Sequence, residues 1–289
     1  MKSKTFQLDL SPFRFQIITD IDLVLDNAKR IYQQKFIDGD LSCHYIDYQL
    51  SVMKSGGVRS FYKPQARFFC DTREPFKPLN HNQGFAMLEW GMNWTVAAHE
   101  LQHVIIHSAV LEKNGKAIIF PAPPGSGKST LTAYLANNGW RLLSDEMALI
   151  IPFSDIVVPF VRPICLKNQS IDIAKTWFPS GVFSSVAKDT HKGDVIHLAP
   201  KPEHFEQAGI QAKIVGVVFP RFQAGTALEI YQLDMMEAFT KLAENAFNFT
   251  AIGKDGFDTV TQLIEEIAKF EICYSQLDEV VDFLLEEII

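Results

Sequence analysis

The segment KAIIFPAPPGSGKS, residues 116–129, decides how the rest of the chain is interpreted. Its apolar beginning predicts a buried strand, and the prolines and glycines that follow predict a loop. The last part of the segment matches the phosphate-loop pattern G-x-x-x-x-G-K-[ST], except that Ala122 replaces the first glycine. Gly125 and Gly127 carry no Cβ atom, so their backbone N–H groups can approach phosphate oxygens closely. Together with a helix predicted for residues 130–137, the segment indicates a phosphate-binding loop between a strand and a helix.

The side chains of this loop have distinct expected roles. In loops of this kind the lysine, here Lys128, pairs with the β- and γ-phosphates, and the next hydroxyl, here Ser129, binds Mg²⁺. A glycine-rich turn that binds nothing is the alternative, and the flanking strand and helix argue against it. The residues expected to contact the nucleotide are Pro124, Gly125, Ser126, Gly127, Lys128, Ser129 and Thr130.

An acidic pair, Asp145 and Glu146, follows the next predicted strand at residues 141–143. A right-handed crossover makes this strand parallel to the strand before the loop, so both carboxyl ends lie at one edge of the sheet. One of the two carboxylates can then hold the metal or accept a proton from an incoming hydroxyl. A solvated acidic turn is the alternative, and the neighbouring phosphate loop favours a functional role.

A second motif, HELQH at residues 99–103, matches the zinc-protease pattern H-E-x-x-H. It falls within residues 82–109, whose apolar spacing of three and four predicts one long helix or two. Such a helix would place His99 and His103 on one face, as zinc binding requires. The metzincin extension is absent, because Ile106 occupies its glycine position. We therefore interpret the motif as incidental and keep a zinc peptidase as an alternative.

The composition of the 289 residues excludes several classes of protein. With 47% hydrophobic and 21% charged residues, the chain can bury a sizeable core and is too apolar to be disordered. A formal net charge of -7 argues against nucleic-acid binding, which depends on neutralising phosphates. The four cysteines form no CxxC pair, which fits a reducing cytoplasm. Because neither a signal peptide nor a long apolar run is found, we expect a cytoplasmic protein without a membrane span.

The pattern of predicted strands and helices changes near residue 80. Residues 1–80 contain short alternating segments and one helical stretch, which predict a small α+β amino-terminal unit. Residues 81–289 mix predicted strands with predicted helices, including helices at 235–246 and 257–269, and this mixture indicates an α/β core.

Residues 107–150 read HSAVLEKNGKAIIFPAPPGSGKSTLTAYLANNGWRLLSDEMALI, and this stretch resembles the kinase core of HPr kinase/phosphorylase. Over residues 65–280 the chain resembles the HprK-related kinase A family, with family-like segments such as VVFPRF and YSQLDE. The resemblance implies an α/β fold with a mixed sheet and a P-loop core similar to HPr kinase and phosphoenolpyruvate carboxykinase. It further implies ATP with Mg²⁺ as the donor and phosphoryl transfer to a serine-type hydroxyl.

The resemblance also implies roles for individual residues. Thr130 and Glu146 depart from the usual family residues, Glu and Asp, and the phosphorylase-associated signature is not recognisable, so phosphorolysis and HPr as substrate are not implied. Members of the related family are encoded near small peptide-binding proteins similar to PqqD, which implies a peptide acceptor. The roles carried onto this sequence are those of Asp145 (catalytic base), His107 (its neighbour), Lys128 (phosphate contact), and Ser129 and Glu146 (metal ligands).

Basic residues in apolar or turn-rich segments are candidates for holding the acceptor, and ordinary surface cations are the alternative. The leading interpretation is an ATP-dependent kinase acting on a serine-type hydroxyl of a protein or peptide. The alternatives are a kinase of a small hydroxylated metabolite and a nucleotide-gated binding module whose amino-terminal unit binds a partner. A homo-oligomer is left open. The three candidate acceptor contacts are Arg162, Lys167 and Lys192.

Overall fold

The computed structural model describes residues 3–39, 45–57 and 62–289 and shows a mixed α/β protein with several sheets. The α/β fold class predicted from the sequence is therefore confirmed at this level. Within the described part of the chain, no helix has the length and apolar character needed to cross a membrane. Cys43 lies outside the described residues.

The chain divides into two compact units. The first contains Met1–Val96 and Arg162–Phe205, and the second contains Ala97–Val161 and Glu206–Ile289. These bounds differ from the sequence-based division near residue 80, because the chain returns to the first unit after completing part of the second.

The secondary-structure elements are numbered in chain order. The strands are β1 (Lys4–Leu10), β2 (Phe13–Thr19), β3 (Phe36–Asp38), β4 (Tyr48–Lys54), β5 (Gln65–Cys70), β6 (Leu79–Asn80), β7 (Val104–Lys113), β8 (Lys116–Pro121), β9 (Arg141–Ser144), β10 (Met147–Ile150), β11 (Ile156–Val158), β12 (Ile164–Lys167), β13 (Ala187–Thr190), β14 (Gly193–Leu198), β15 (Ala212–Phe222), β16 (Glu229–Gln232) and β17 (Ala268–Tyr274). The helices are α1 (Asp22–Tyr32), α2 (Gly84–His99), α3 (Lys128–Asn137), α4 (Gln169–Trp177), α5 (Pro202–Glu206), α6 (Met235–Glu244), α7 (Phe249–Ile252), α8 (Lys254–Glu266) and α9 (Leu277–Glu287).

The first unit contains a six-stranded sheet in the order β3-β1-β2-β4-β5-β6 and a three-stranded sheet in the order β12-β14-β13. In β2 the buried residues Phe13, Phe15 and Ile17 alternate with partly exposed ones, as expected for a strand with one face against a core. Helix α2 packs closely on β5, because a Cβ atom added to Gly91 would lie 2.1 Å from the ring of Phe68. Glycine is therefore required at this contact.

The second unit contains an eight-stranded sheet in the order β11-β10-β7-β8-β15-β17-β16, with β9 paired to β7. Strands β8, β15 and β17 are parallel, whereas β7 is antiparallel to β8. The residues of β8 from Ala117 to Pro121 are all buried, which is typical of a strand covered on both faces. Helices α6 and α8 contribute Leu242, Leu263 and Ile264 to the hydrophobic core of this unit.

Two helices predicted from the sequence are shorter in the structure. The helix predicted over residues 82–109 ends at His99, and Val104–Lys113 forms β7 instead. The helix predicted over residues 257–269 ends at Glu266, and Ala268–Tyr274 forms β17. In both cases the apolar residues join the eight-stranded sheet, where pairing with distant strands outweighs the local helical spacing.

Candidate functional site

The predicted phosphate loop is a glycine-turned connection between β8 and α3. Gly125 and Gly127 have φ angles of 89° and 88°, in the left-handed region that glycine adopts without strain. Gly127 is the N-cap residue of α3, so the unpaired N–H groups of the first helical turn begin at the loop. Ser126 Oγ is buried and has no hydrogen-bond partner among the residues that the structure describes. The loop thus offers the N–H and O–H donors that bind phosphate oxygens.

The loop is anchored on the end of β15. The backbone N–H of Phe222 donates to the carbonyl oxygen of Ser126 at 2.8 Å. A Cβ atom added to Gly127 would lie 2.8 Å from the Cβ atom of Phe222 and 3.2 Å from the hydroxyl oxygen of Tyr274. Gly127 is therefore required both for its backbone conformation and for this close contact, whereas a Cβ atom added to Gly125 would meet nothing within 4 Å.

The two glycines make a matched pair for testing this packing. Gly125→Ala is expected to lower the free energy of unfolding by about 1–2 kcal/mol, the cost of a left-handed conformation for an L residue. In Gly127→Ala the new Cβ atom would also clash with Phe222, so the free energy of unfolding should fall further, by about 2–3 kcal/mol. Urea unfolding of both variants measures the difference. Equal losses would show that Phe222 does not confine Gly127.

Lys128 directs its side chain toward the turn that follows β9. The side chain is buried, and Nζ donates to the backbone carbonyl oxygen of Asp145 at 2.7 Å. A lysine at the first position of a helix usually extends into solvent, so this burial holds the ammonium group at the carboxyl ends of the strands. The positive charge is consequently available beside the loop, where phosphate would bind.

Asp145 lies beside the loop. It follows β9, it is buried, and Ser129 Oγ donates to its Oδ2 atom at 3.2 Å. Strands β8 and β9 are both antiparallel to β7, so they are parallel to each other, with β7 between them. The position predicted for Asp145 is therefore confirmed, and its chemical role stays a prediction.

His107 and Glu146 form a second pair at the same edge of the sheet. His107 lies on β7, and its Nδ1 atom is 3.0 Å from the carbonyl oxygen of Glu146 and 3.4 Å from its Oε2 atom. Because a carbonyl oxygen only accepts, Nδ1 carries the proton in this arrangement. The His107 ring also contacts the exposed ring of Phe247, with a centroid distance of 5.3 Å. The structure thus pairs Ser129 with Asp145 and His107 with Glu146.

The oxygen atoms of this site suit Mg²⁺. Magnesium is usually held by one or two carboxylates, a hydroxyl and the phosphates of its substrate, and it needs no complete cage of protein ligands. Ser129 Oγ and Asp145 Oδ2 provide the hydroxyl and a carboxylate within one hydrogen bond of each other, and Glu146 provides a second carboxylate next in sequence. In the described ranges, no group of three or more His, Cys, Asp and Glu side chains could hold a metal by itself. The donor set therefore fits a metal bound together with a nucleotide.

The HELQH motif is not presented on a helix. Helix α2 ends at His99, and the remaining residues form a turn in which the Glu100 side chain accepts from the N–H of Gln102 and contacts His103 Nδ1 at 3.2 Å. Asn248 fixes the turn by donating to the carbonyl oxygens of Glu100 and His103. Burial raises the pKa of Glu100, but the hydrogen bonds from His103 and Gln102 lower this pKa overall. The prediction that both histidines lie on one helical face is wrong.

Glu100 should therefore matter for stability and not for metal binding. Glu100→Ala removes the acceptor for the N–H of Gln102 and should lower the free energy of unfolding by about 1 kcal/mol, with nucleotide affinity unchanged. Metal analysis of protein purified without chelator should find no stoichiometric zinc. One zinc ion per chain that is lost in His99→Ala would instead support the peptidase interpretation.

The three basic residues proposed to hold an acceptor all belong to the first unit. Arg162 is buried, and its Nη2 atom donates to Glu89 Oε2 at 2.5 Å and to the Glu89 carbonyl oxygen at 2.8 Å. Burial lowers the pKa of Arg162, but Glu89 raises this pKa above its ordinary value overall. Lys167 ends β12, and the exposed Lys192 places Nζ 5.5 Å from the centre of the Trp90 ring. Arg162 is thus occupied by an internal ion pair, and the two lysines are the more accessible cations.

Comparison with known proteins adds no family assignment. No protein-family model matches the chain, and no curated protein matches its sequence. The fold and site therefore define a mixed α/β protein in which a glycine-containing loop between a strand and a helix lies next to a buried carboxylate.

Proposed function

We propose that the protein is an ATP-dependent kinase that transfers phosphate to a serine-type hydroxyl of a protein or peptide. The proposal rests on the contacts that two loop residues make with Asp145. Lys128 binds the backbone carbonyl oxygen of Asp145, and Ser129 binds its carboxylate. Phosphate donors and a buried carboxylate at one sheet edge are what phosphoryl transfer requires. The same arrangement supports a P-loop core similar to that of HPr kinase and phosphoenolpyruvate carboxykinase.

In the proposed reaction the acceptor oxygen attacks the γ-phosphorus of ATP, and the bond from this phosphorus to the ADP oxygen breaks. Asp145 accepts the proton of the acceptor hydroxyl, and Lys128 offsets the negative charge of the phosphates. Mg²⁺, held by Ser129 and Glu146, would supply further neutralisation of phosphate charge. Burial of Asp145 excludes bulk water from the base and favours transfer to the acceptor over hydrolysis.

His107 is proposed as a positioning residue for the acidic turn. Its Nδ1 proton binds the carbonyl oxygen of Glu146, and the N–H of Ser108 donates to the same oxygen at 3.2 Å. Ser144 Oγ accepts from the N–H groups of Glu146 and Met147 at 3.3 and 3.0 Å. These bonds hold the Asp145–Glu146 turn from both sides, so Asp145 keeps its orientation toward Ser129.

The identity of the acceptor separates the remaining alternatives. The purified chain is incubated with ATP and Mg²⁺ and, in separate sets, serine-containing peptides and hydroxylated metabolites, and each reaction is examined for a mass gain of one phosphate. Phosphorylated peptides would support the proposal, and a PqqD-like protein is added to one set as the peptide carrier. Phosphorylated metabolites alone would favour the metabolite kinase. Tight ATP binding without transfer would favour the nucleotide-gated binding module.

A further inference from the structure

Phe222 is an exposed aromatic residue that adjoins the phosphate loop. It is the last residue of β15, its side chain is half exposed, and its backbone N–H binds the carbonyl oxygen of Ser126. Its Cβ atom lies directly against Gly127. Single exposed apolar residues are common on proteins, so the position of Phe222 at the loop is what gives it significance.

The ring of Phe222 packs against one buried neighbour. It packs edge to face on Tyr274, with a centroid distance of 5.9 Å and an interplanar angle of 75°, and Tyr274 is almost fully buried. The following segment is fixed by two hydrogen bonds, from the N–H of Gln223 to the Tyr274 carbonyl at 2.9 Å and from Ser275 Oγ to the Thr226 carbonyl at 2.7 Å. An aromatic surface that is both exposed and ordered is suited to stacking, because little conformational entropy is lost on binding.

The sheet order shows which part of a nucleotide would reach Phe222. Asp145 and His107 lie on the β7 side of β8, whereas β15 and β17 lie on the other side. The proposed function puts the transferred phosphate close to Asp145, so a nucleotide that crosses the loop would bring its opposite end toward β15. Parallel pairing places the carboxyl end of β15, and thus Phe222, at the same sheet edge as the loop.

We infer that Phe222 is the stacking platform for the nucleobase of the donor, an inference that rests on the proposed function. The donor is therefore a nucleoside triphosphate, and inorganic polyphosphate would lack this contact. Stacking recognises the flat face of the base and not its edge, so adenine and guanine nucleotides should bind with similar affinity.

The test compares two probes on the full chain by calorimetry: the non-hydrolysable ATP analogue AMPPNP and inorganic tripolyphosphate, each with Mg²⁺. Phe222→Ala keeps the backbone hydrogen bond and the Cβ atom at Gly127 and removes only the ring. It should weaken AMPPNP binding about tenfold or more and leave tripolyphosphate binding within about twofold. Phe222→Trp should restore AMPPNP affinity. Phe257→Ala removes an equally exposed ring of the same unit, which packs on Phe239, and should change neither affinity.

The outcomes separate the platform from the proposed function. Unchanged AMPPNP affinity in Phe222→Ala would contradict the stacking role of Phe222 and leave the kinase proposal intact. Equal losses for both probes also overturn it, because they would show that the ring supports the loop and not the base. If the wild-type protein bound neither probe, both the proposed function and the platform would be overturned.

Discussion

Lys128→Ala is expected to reduce phosphoryl transfer by about 10² or more, or about 3 kcal/mol of transition-state stabilisation. The reason is the position of Nζ, which the structure holds 2.7 Å from the Asp145 carbonyl oxygen at the centre of the proposed site. Lys128 is the one basic residue of the loop sequence at residues 122–129, so the substitution removes the positive charge that the proposal assigns to the phosphates. Initial rates with ATP, Mg²⁺ and the acceptor found by the mass screen measure the effect.

The fold should survive the substitution of Lys128. The loop backbone is supported by Phe222 and by the hydrogen bond from the N–H of Leu131 to the carbonyl oxygen of Gly127 at 3.0 Å, and neither contact involves the lysine side chain. Lys128→Met, which keeps the volume of the buried stem, should lose the same activity with less loss of stability. Lys213→Ala, which removes an exposed lysine paired with Asp155, serves as the control and should turn over normally. A folded Lys128→Ala protein with wild-type turnover would end the phosphate-loop assignment.

The strand, loop and helix around the phosphate motif were predictable because their signals are local. An apolar run, two glycines and a helix-forming segment follow one another directly, and the structure has β8 and α3 where they were expected. The position of Asp145 was predictable for a related reason. A crossover connection determines at which sheet edge the next strand ends, even though β7 separates the two strands.

Strands that depend on distant partners were not predictable in the same way. Val104–Lys113 continues the apolar spacing of helix α2, yet it forms the strand to which β8, β9 and β10 all pair. Ala268–Tyr274 likewise pairs in parallel with β15, far away in the sequence. Local periodicity contains no information about these partners, and burial in the centre of a sheet then decides the conformation.

Side-chain pairing in the candidate site also depends on partners that the local sequence does not reveal. The sequence places Asp145 and Glu146 together but cannot assign one to Ser129 and the other to His107, because this depends on the turn that Ser144 stabilises. The contact between Phe222 and Gly127 joins two elements remote in sequence, so local sequence patterns contain no signal for it.

Asp145→Asn is expected to lower the rate of phosphoryl transfer by about 10² to 10⁴ and to weaken binding of ATP with Mg²⁺ by no more than about tenfold, or 1.4 kcal/mol. Asparagine has nearly the same size as aspartate, and its amide oxygen can still accept the hydrogen bond from Ser129 Oγ. It cannot accept a proton from the acceptor, so the loss should fall on the chemical step. Binding and single-turnover rates, measured separately, distinguish the two effects.

The controls for Asp145→Asn are chosen to separate a base from a metal ligand. Asp155→Asn changes a carboxylate of the same unit that pairs with the exposed Lys213, and it should leave the rate unchanged. His107→Ala should have a smaller effect than Asp145→Asn and should shift the pH profile of the rate, since His107 contacts the acidic turn and not the acceptor. If Asp145→Asn instead abolished metal binding, and excess Mg²⁺ restored near-normal turnover, Asp145 would be a ligand. The base would then be sought first at Glu146, whose carboxylate already faces an imidazole at 3.4 Å.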